Sequence, residues 1–129
     1  MFHRHSSMQP QEVEVWYVLP TIRQNLAKEL LKLGIKKTEI AKKLEITKAA
    51  VSHYAGEKRG YSVKVKGLYY EIKRAAKRIA NGECATREIQ KLCLLIRKKG
   101  LLCKFHKEYD PKIRKMCNFC NNLLKNYNN

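Results

Sequence analysis

Acidic side chains are scarce in this chain: 11 Asp and Glu stand against 28 Lys and Arg, a formal net charge of +17 on 129 residues. Such an excess repels itself in the folded state and is ordinarily matched by a polyanion, so nucleic acid is the first partner class to consider. The imbalance grows along the chain, from 11 basic and 6 acidic residues in 1–60 to 17 and 5 in 61–129. Long apolar runs are missing as well. No stretch approaches the ~20 residues of a transmembrane helix, and no secretory hydrophobic region is present. The helical segments also lack the broad Trp/Phe/Leu faces of an interfacial anchor. No membrane partner is expected, and the expected address is the cytoplasm.

Catalytic signatures are missing too. There is no Gly-rich phosphate loop and no nucleophile elbow. The carboxylates, from Glu12 and Glu14 through Glu108 and Asp110, are scattered and mostly stand near lysines at helical spacing. A nuclease would need them clustered around metal ions. An enzyme is not expected. Internal repeats and low-complexity tracts are absent.

With 44% hydrophobic residues, the chain can bury a real interior, as one compact domain or two small ones sharing a core. Residues 1–10 read as a loose arm, 11–66 as a DNA-binding domain, 67–129 as a basic, cysteine-containing helical domain, and 126–129 as a frayed tail. The expected fold is all-α: a helix-turn-helix with a C-terminal helical extension.

Residues 36–54, KKTEIAKKLEITKAAVSHY, carry that motif. Ile40, Ala41 and Leu44 recur at helical spacing and give a short helix one buried side. Glu45 and Ile46 break the pattern, and Thr47 stands where a hydroxyl can cap a second helix over residues 48–54. Ala50, Val51 and Tyr54 of that helix can pack back on the first, where small Ala41 permits close approach. Lys48, Ala49, Ser52 and His53 are left facing outward, chemically fit to read base edges in a major groove. Lys37, Thr38, Thr47, Lys58 and Arg59 are suited to hold phosphates at helix starts and in the basic segment that follows. The turn commonly carries glycine because a positive φ is needed. Glu45 in its place costs on the order of 1 kcal/mol.

Ahead of the motif, Pro20 suits the first turn of a helix whose buried stripe is Ile22, Leu26, Ala27, Leu30 and Leu33, ending at Gly34. Residues 12–19, EVEVWYVL, alternate like a strand yet can continue the helix across a proline kink, and helix is the preferred reading. Residues 56–67 form a basic, glycine-bounded loop or wing-like strand pair. Beyond Gly67, Leu68, Ile72, Ala75, Ala76 and Ile79 make an apolar stripe opposite Lys73, Arg74, Lys77 and Arg78, up to a stop at Asn81-Gly82. Thr86 is expected to cap the next helix, with Ile89, Leu92, Cys93 and Ile96 inside and a stop at Gly100. A last helix is expected from Asp110-Pro111, burying Ile113, Met116, Cys117, Cys120, Leu123 and Leu124.

Leu19-Pro-Thr-Ile-Arg23, Leu26-Ala-Lys-Glu-Leu30, Thr38-Glu-Ile-Ala41, Ile46-Thr-Lys-Ala-Ala-Val-Ser52 and Arg59-Gly60 together resemble a known pattern. It is that of small archaeal predicted transcriptional regulators with an XRE-type helix-turn-helix. That family includes the euryarchaeal archaellum regulator and resembles the N-terminal part of the archaeal thiamine-pathway regulator. The resemblance continues through Cys93 and residues 100–106, GLLCKFH. It implies a helix-turn-helix fold of the XRE or lambda-repressor type and a sequence-specific transcription factor with its recognition helix at residues 48–54. Members often carry glutamine where this chain has Lys37, Lys48 and His53, so the target sequence need not be that of a relative. No detachable effector domain like that of the thiamine regulator is expected.

The five cysteines suggest a second chemistry. Cys103 with His106 and Cys117 with Cys120 are two chelating pairs at i, i+3, a spacing that can hold tetrahedral zinc. Cys93 is an alternative ligand that would make an all-thiolate site for zinc or an iron–sulfur cluster. The family pattern has a second cysteine three residues after the one matching Cys93, and Ile96 stands there, which weighs against a complete cluster. Cys93, Cys117 and Cys120 also lie on apolar stripes, where cysteine acts as a small hydrophobe, and a disulfide between helices is a third reading. Without a metal, His106 would be an ordinary surface histidine. The function expected is a sequence-specific regulator of transcription that binds double-stranded DNA as a homodimer, two recognition helices reading a longer site than one. Its alternatives are a protein that coats RNA or DNA without sequence preference and a metal- or redox-sensing regulator.

Overall fold

A computed structural model describes residues 9–56 and 67–109. Every regular element among them is helical. The first is a long rod in three parts: α1 (Pro10–Val13), a π-helical turn (Glu14–Val18) and α2 (Leu19–Lys32). Pro20 explains the middle part. Its missing N–H and bulky ring would clash in a tight α-turn, and the wider turn just ahead of it relieves that crowding. Within the turn the Leu19 N–H donates to the Glu14 carbonyl, five residues back. Thr21 Oγ1 donates to the Tyr17 carbonyl at 2.6 Å, and the buried Asn25 amide donates to the Thr21 carbonyl at 2.8 Å. Residues 12–19 are thus helical, as preferred. Pro20 stands in the first turn of α2, as expected, although the rod ahead of it is already helical from Pro10.

Gly34, at φ 87°, ends α2. Its N–H meets the Leu31 carbonyl at 3.0 Å and the Ile35 N–H meets the Leu30 carbonyl at 3.1 Å, the paired bonds of a Schellman motif. Leu33 is 44% exposed and lies outside the stripe expected of it, because it falls on the last turn as the chain reverses. Two short helices follow, α3 (Lys37–Leu44) and α4 (Lys48–Gly56), joined by residues 45–47. After residues 57–66 come α5 (Tyr69–Ala80), α6 (Ala85–Lys98) and α7 (Leu101–Tyr109). Gly82 and Gly100 take positive φ at the ends of α5 and α6, the stops read from the sequence. The start of α6 is different from expectation. Cys84 is its N-cap and Thr86 is exposed within its first turn, two residues too late to cap.

One apolar cluster runs through every helix, from Val13 and Val18 through Ile22, Leu26 and Leu30, Ile40, Val51, Ile72 and Ile96 to Phe105. The central helix α2 touches α3, α4, α5 and α6, while α7 packs on α1, the π-turn and α6. The stripes expected for α5 and α6 are buried in that cluster. Helix α7 was not among the expected helices, yet Phe105 is fully buried.

Buried carboxylates tie the ends of the fold together. Glu14 in the π-turn accepts from Arg97 on α6, with Arg97 Nε at 2.9 Å and Nη2 completing a bidentate pair. Glu88 on α6 accepts from Arg78 Nε on α5 at 2.7 Å and from Lys91 Nζ at 3.3 Å. Burial pushes the pKa of Glu88 up, but these hydrogen bonds and positive charges outweigh it and hold the carboxyl below its ordinary value.

Candidate nucleic-acid interface

Glu45 is the hinge of the α3–α4 pair. At φ 56°, ψ 43° it is the one non-glycine residue of positive φ among the described residues. The reversal has the same Schellman bonding as Gly34: the Ile46 N–H reaches the Ala41 carbonyl at 3.0 Å and the Glu45 N–H the Lys42 carbonyl at 3.4 Å. Thr47 then caps α4, its Oγ1 accepting from the Ala50 N–H at 3.0 Å. The loop is therefore closed at both ends by hydrogen bonds. That fixes how α4 leaves α3.

Val51 is fully buried, and Ala41, Ile46 and Tyr54 pack around the core at half burial. Helix α4 touches both α2 and α3. Lys48, Ala49, Ser52 and His53 are all exposed. At about 100° per residue these four fall within a sector of about 140°, with Val51 and Tyr54 on the other side. The His53 ring stands 6.1 Å from that of Tyr54, tilted by 56°.

The residues expected at phosphates divide into two groups. Lys37 and Thr38 are exposed at the start of α3, where Lys36 rather than Thr38 is the N-cap. Thr47 is exposed, with its hydroxyl already engaged at the start of α4. Lys58 and Arg59 lie outside the described residues. Sequence reasoning did not single out Lys36 and Lys42, two further exposed cations of this pair of helices. A run of lysines gave no signal to rank them. Lys43 serves the fold instead: its Nζ donates to the Ile79 carbonyl at 3.4 Å, joining α3 to the C-terminal end of α5.

The expected metal ligands are only partly brought together. Cys103 and His106 sit one turn apart on α7, each 7% exposed. His106 is therefore not the surface residue expected of it in the absence of a metal, because α7 is a core helix. Cys117 and Cys120 lie outside the described residues. Among the described residues no three His, Cys, Asp or Glu side chains gather as ligands, so Cys93 does not join Cys103 and His106. Burial pushes the Cys93 thiol up to about 11, Glu14 raising it further while Arg97 and Arg23 pull it down. It is a protonated thiol at neutral pH, and packs as a small hydrophobe.

Cys93 also forms part of an open cleft of about 450 Å³ between the π-turn and α6, where Val15, Leu19 and Leu94 surround the Glu14–Arg97 pair. In that cleft Glu14 and Arg97 are paired with each other. No helix among the described residues is long and apolar enough to cross a membrane. No family model matches the chain, and no curated protein or solved structure matches it either.

Proposed function

We propose that this chain is a sequence-specific regulator of transcription that reads duplex DNA with α4, the second helix of a helix-turn-helix formed by α3 and α4. The carrying observation is the division of α4. Its inner side, led by Val51, is anchored on α2 and α3, and its outer side offers Lys48, Ala49, Ser52 and His53 to solvent. Lys48 can donate to guanine O6 or N7, Ala49 fits a thymine methyl, and Ser52 and His53 offer both donors and acceptors. Lys37, Thr38 and Thr47 at the two helix starts, with Lys58 and Arg59 in the following segment, suit the flanking phosphates. The +17 charge supplies attraction to any duplex, and the resemblance to XRE-type archaeal regulators supports the same reading. One helix of this length reads only a few base pairs, so two copies on a two-fold site are proposed. A binding selection from random duplexes tests the reading. It should converge on a motif, and Lys48→Ala or Ser52→Ala should lose about 1–3 kcal/mol on that motif and much less on scrambled DNA. Equal losses on both would refute the role of α4.

A further inference from the structure

On α5 the cations are not equivalent. Arg78 is held by Glu88 at 2.7 Å, and the Lys73 ammonium sits 4.6 Å above the Tyr69 ring. In the neighbouring helix, Lys91 is bound to Glu88 and Arg97 to Glu14. Arg74 and Lys77 are both exposed, and among the described residues neither has an ion pair. Tyr70 stands with them, 69% exposed, the most exposed large hydrophobic side chain among the described residues. Its ring is set edge-on to Tyr69 at 5.5 Å and 78°.

These three residues lie at i, i+4 and i+7, which puts them in one stripe along the helix. The buried Ile72, Ala75, Ala76 and Ile79 fall on the opposite side, about 140–240° from Tyr70 at 100° per residue. From Tyr70 to Lys77 the helix rises about 10.5 Å. Over that length the three side chains can reach neighbouring phosphates of one strand. A phenol beside two cations offers a hydroxyl donor and two charge-assisted donors in a row, the chemistry that phosphate oxygens accept. Helix α5 is also fixed relative to the α3–α4 pair, through the Lys43 bond to the Ile79 carbonyl and through α2, which touches both α4 and α5.

We propose that the stripe of Tyr70, Arg74 and Lys77 on α5 is a second contact for the phosphate backbone of duplex DNA, outside the bases offered to α4. The choice of duplex DNA as partner rests on the function proposed for α4. The contact adds affinity without adding sequence preference.

The experiment uses the full chain and measures affinity against KCl concentration for a selected duplex and its scrambled counterpart. Arg74→Gln with Lys77→Gln should flatten the slope of log K against log salt by about 1.8 units, at about 0.9 per phosphate contact. It should weaken both duplexes alike and leave their ratio unchanged. Tyr70→Ala should weaken both by about 2–10-fold, as loss of one hydrogen bond does. Two variants serve as controls: Arg74→Lys with Lys77→Arg should keep the slope, and Lys98→Gln with Lys99→Gln, the same loss of charge at the C-terminal end of α6, should change it by less than about 0.5. An unchanged slope in the Arg74→Gln, Lys77→Gln variant overturns the proposal, as does an equal change in the α6 variant. If that α5 variant is inert while Lys48→Ala abolishes sequence preference, the α5 contact is wrong and the reading of α4 stands. If the wild type shows no preference but the α5 variant still flattens the slope, the reading of α4 is wrong and the contact stands.

Discussion

Glu45 occupies the backbone conformation that Gly34, Gly82 and Gly100 occupy elsewhere in the chain. A side chain there is strained by about 1 kcal/mol, because its Cβ crowds the following carbonyl. Glu45→Gly should therefore raise stability by up to about 1 kcal/mol, seen as a rise of a few degrees in Tm. A fall in Tm would show that Glu45 makes a contact that outweighs its strain. The position was legible in the sequence because the spacing of Ile40, Ala41 and Leu44 to Ala50 and Val51 leaves room for only one short turn. Leu33 and His106 were not legible. A side chain one residue from a helix stop changes its side with the last turn, and a histidine followed by lysine looks solvent-facing until Phe105 draws its helix inward.

Each helix owes its limits to local chemistry, and most of those limits can be read from composition. Gly34, Asn81-Gly82 and Gly100 stop helices because only a residue free to take positive φ completes the final hydrogen bonds. Thr47 starts α4 by the opposite device, and Thr47→Ala should cost about 1 kcal/mol. Thermal unfolding followed by circular dichroism measures this, and an unchanged Tm would deny the cap. Sequence reasoning failed where a tertiary partner decides. Thr86 is as good a capping residue as Thr47, yet α6 begins earlier at Ala85, and its Glu88 is drawn onto Arg78 of α5. Residues 12–19 are the helix preferred for them, but the wide turn before Pro20 and the hold of Arg97 on Glu14, 83 positions along the chain, were not visible in the sequence. Helix α7 was missed because two leucines, a cysteine and a phenylalanine among lysines make too short a pattern. Phe105→Ala should cost about 3–5 kcal/mol in denaturant unfolding. A cost near zero would mean that α7 is peripheral to the core.

At the scale of the molecule, one core joins the α3–α4 pair to the basic helices behind it, and charge sets how that core responds to pH. Glu88 has a folded pKa below its ordinary value of 4.5. Its ion pairs therefore stabilise the fold fully above that value and less as pH falls through the lower, folded pKa. Glu88→Gln should lose about 1–3 kcal/mol near pH 7 and progressively less as pH falls below 4.5. A constant difference across that range would mean that packing, not charge, carries the effect. Most helices of the described residues were readable from apolar periodicity, and the excess of positive charge from composition. The pairing of particular cations was not, since Arg74 and Arg78 look alike in sequence and differ only in what α6 places beside them. The central claim is that the outer face of α4 gives this basic protein a preferred duplex. The most direct measurement is the affinity of the full chain for the duplex selected from a random pool, against its scrambled counterpart, at about 0.15 M salt. The account predicts that the selected duplex binds at least about 10³-fold tighter and that Lys48→Ala removes about 1–3 kcal/mol of that margin. Equal affinity for the two duplexes, with the same salt dependence in wild type and variant, would contradict it.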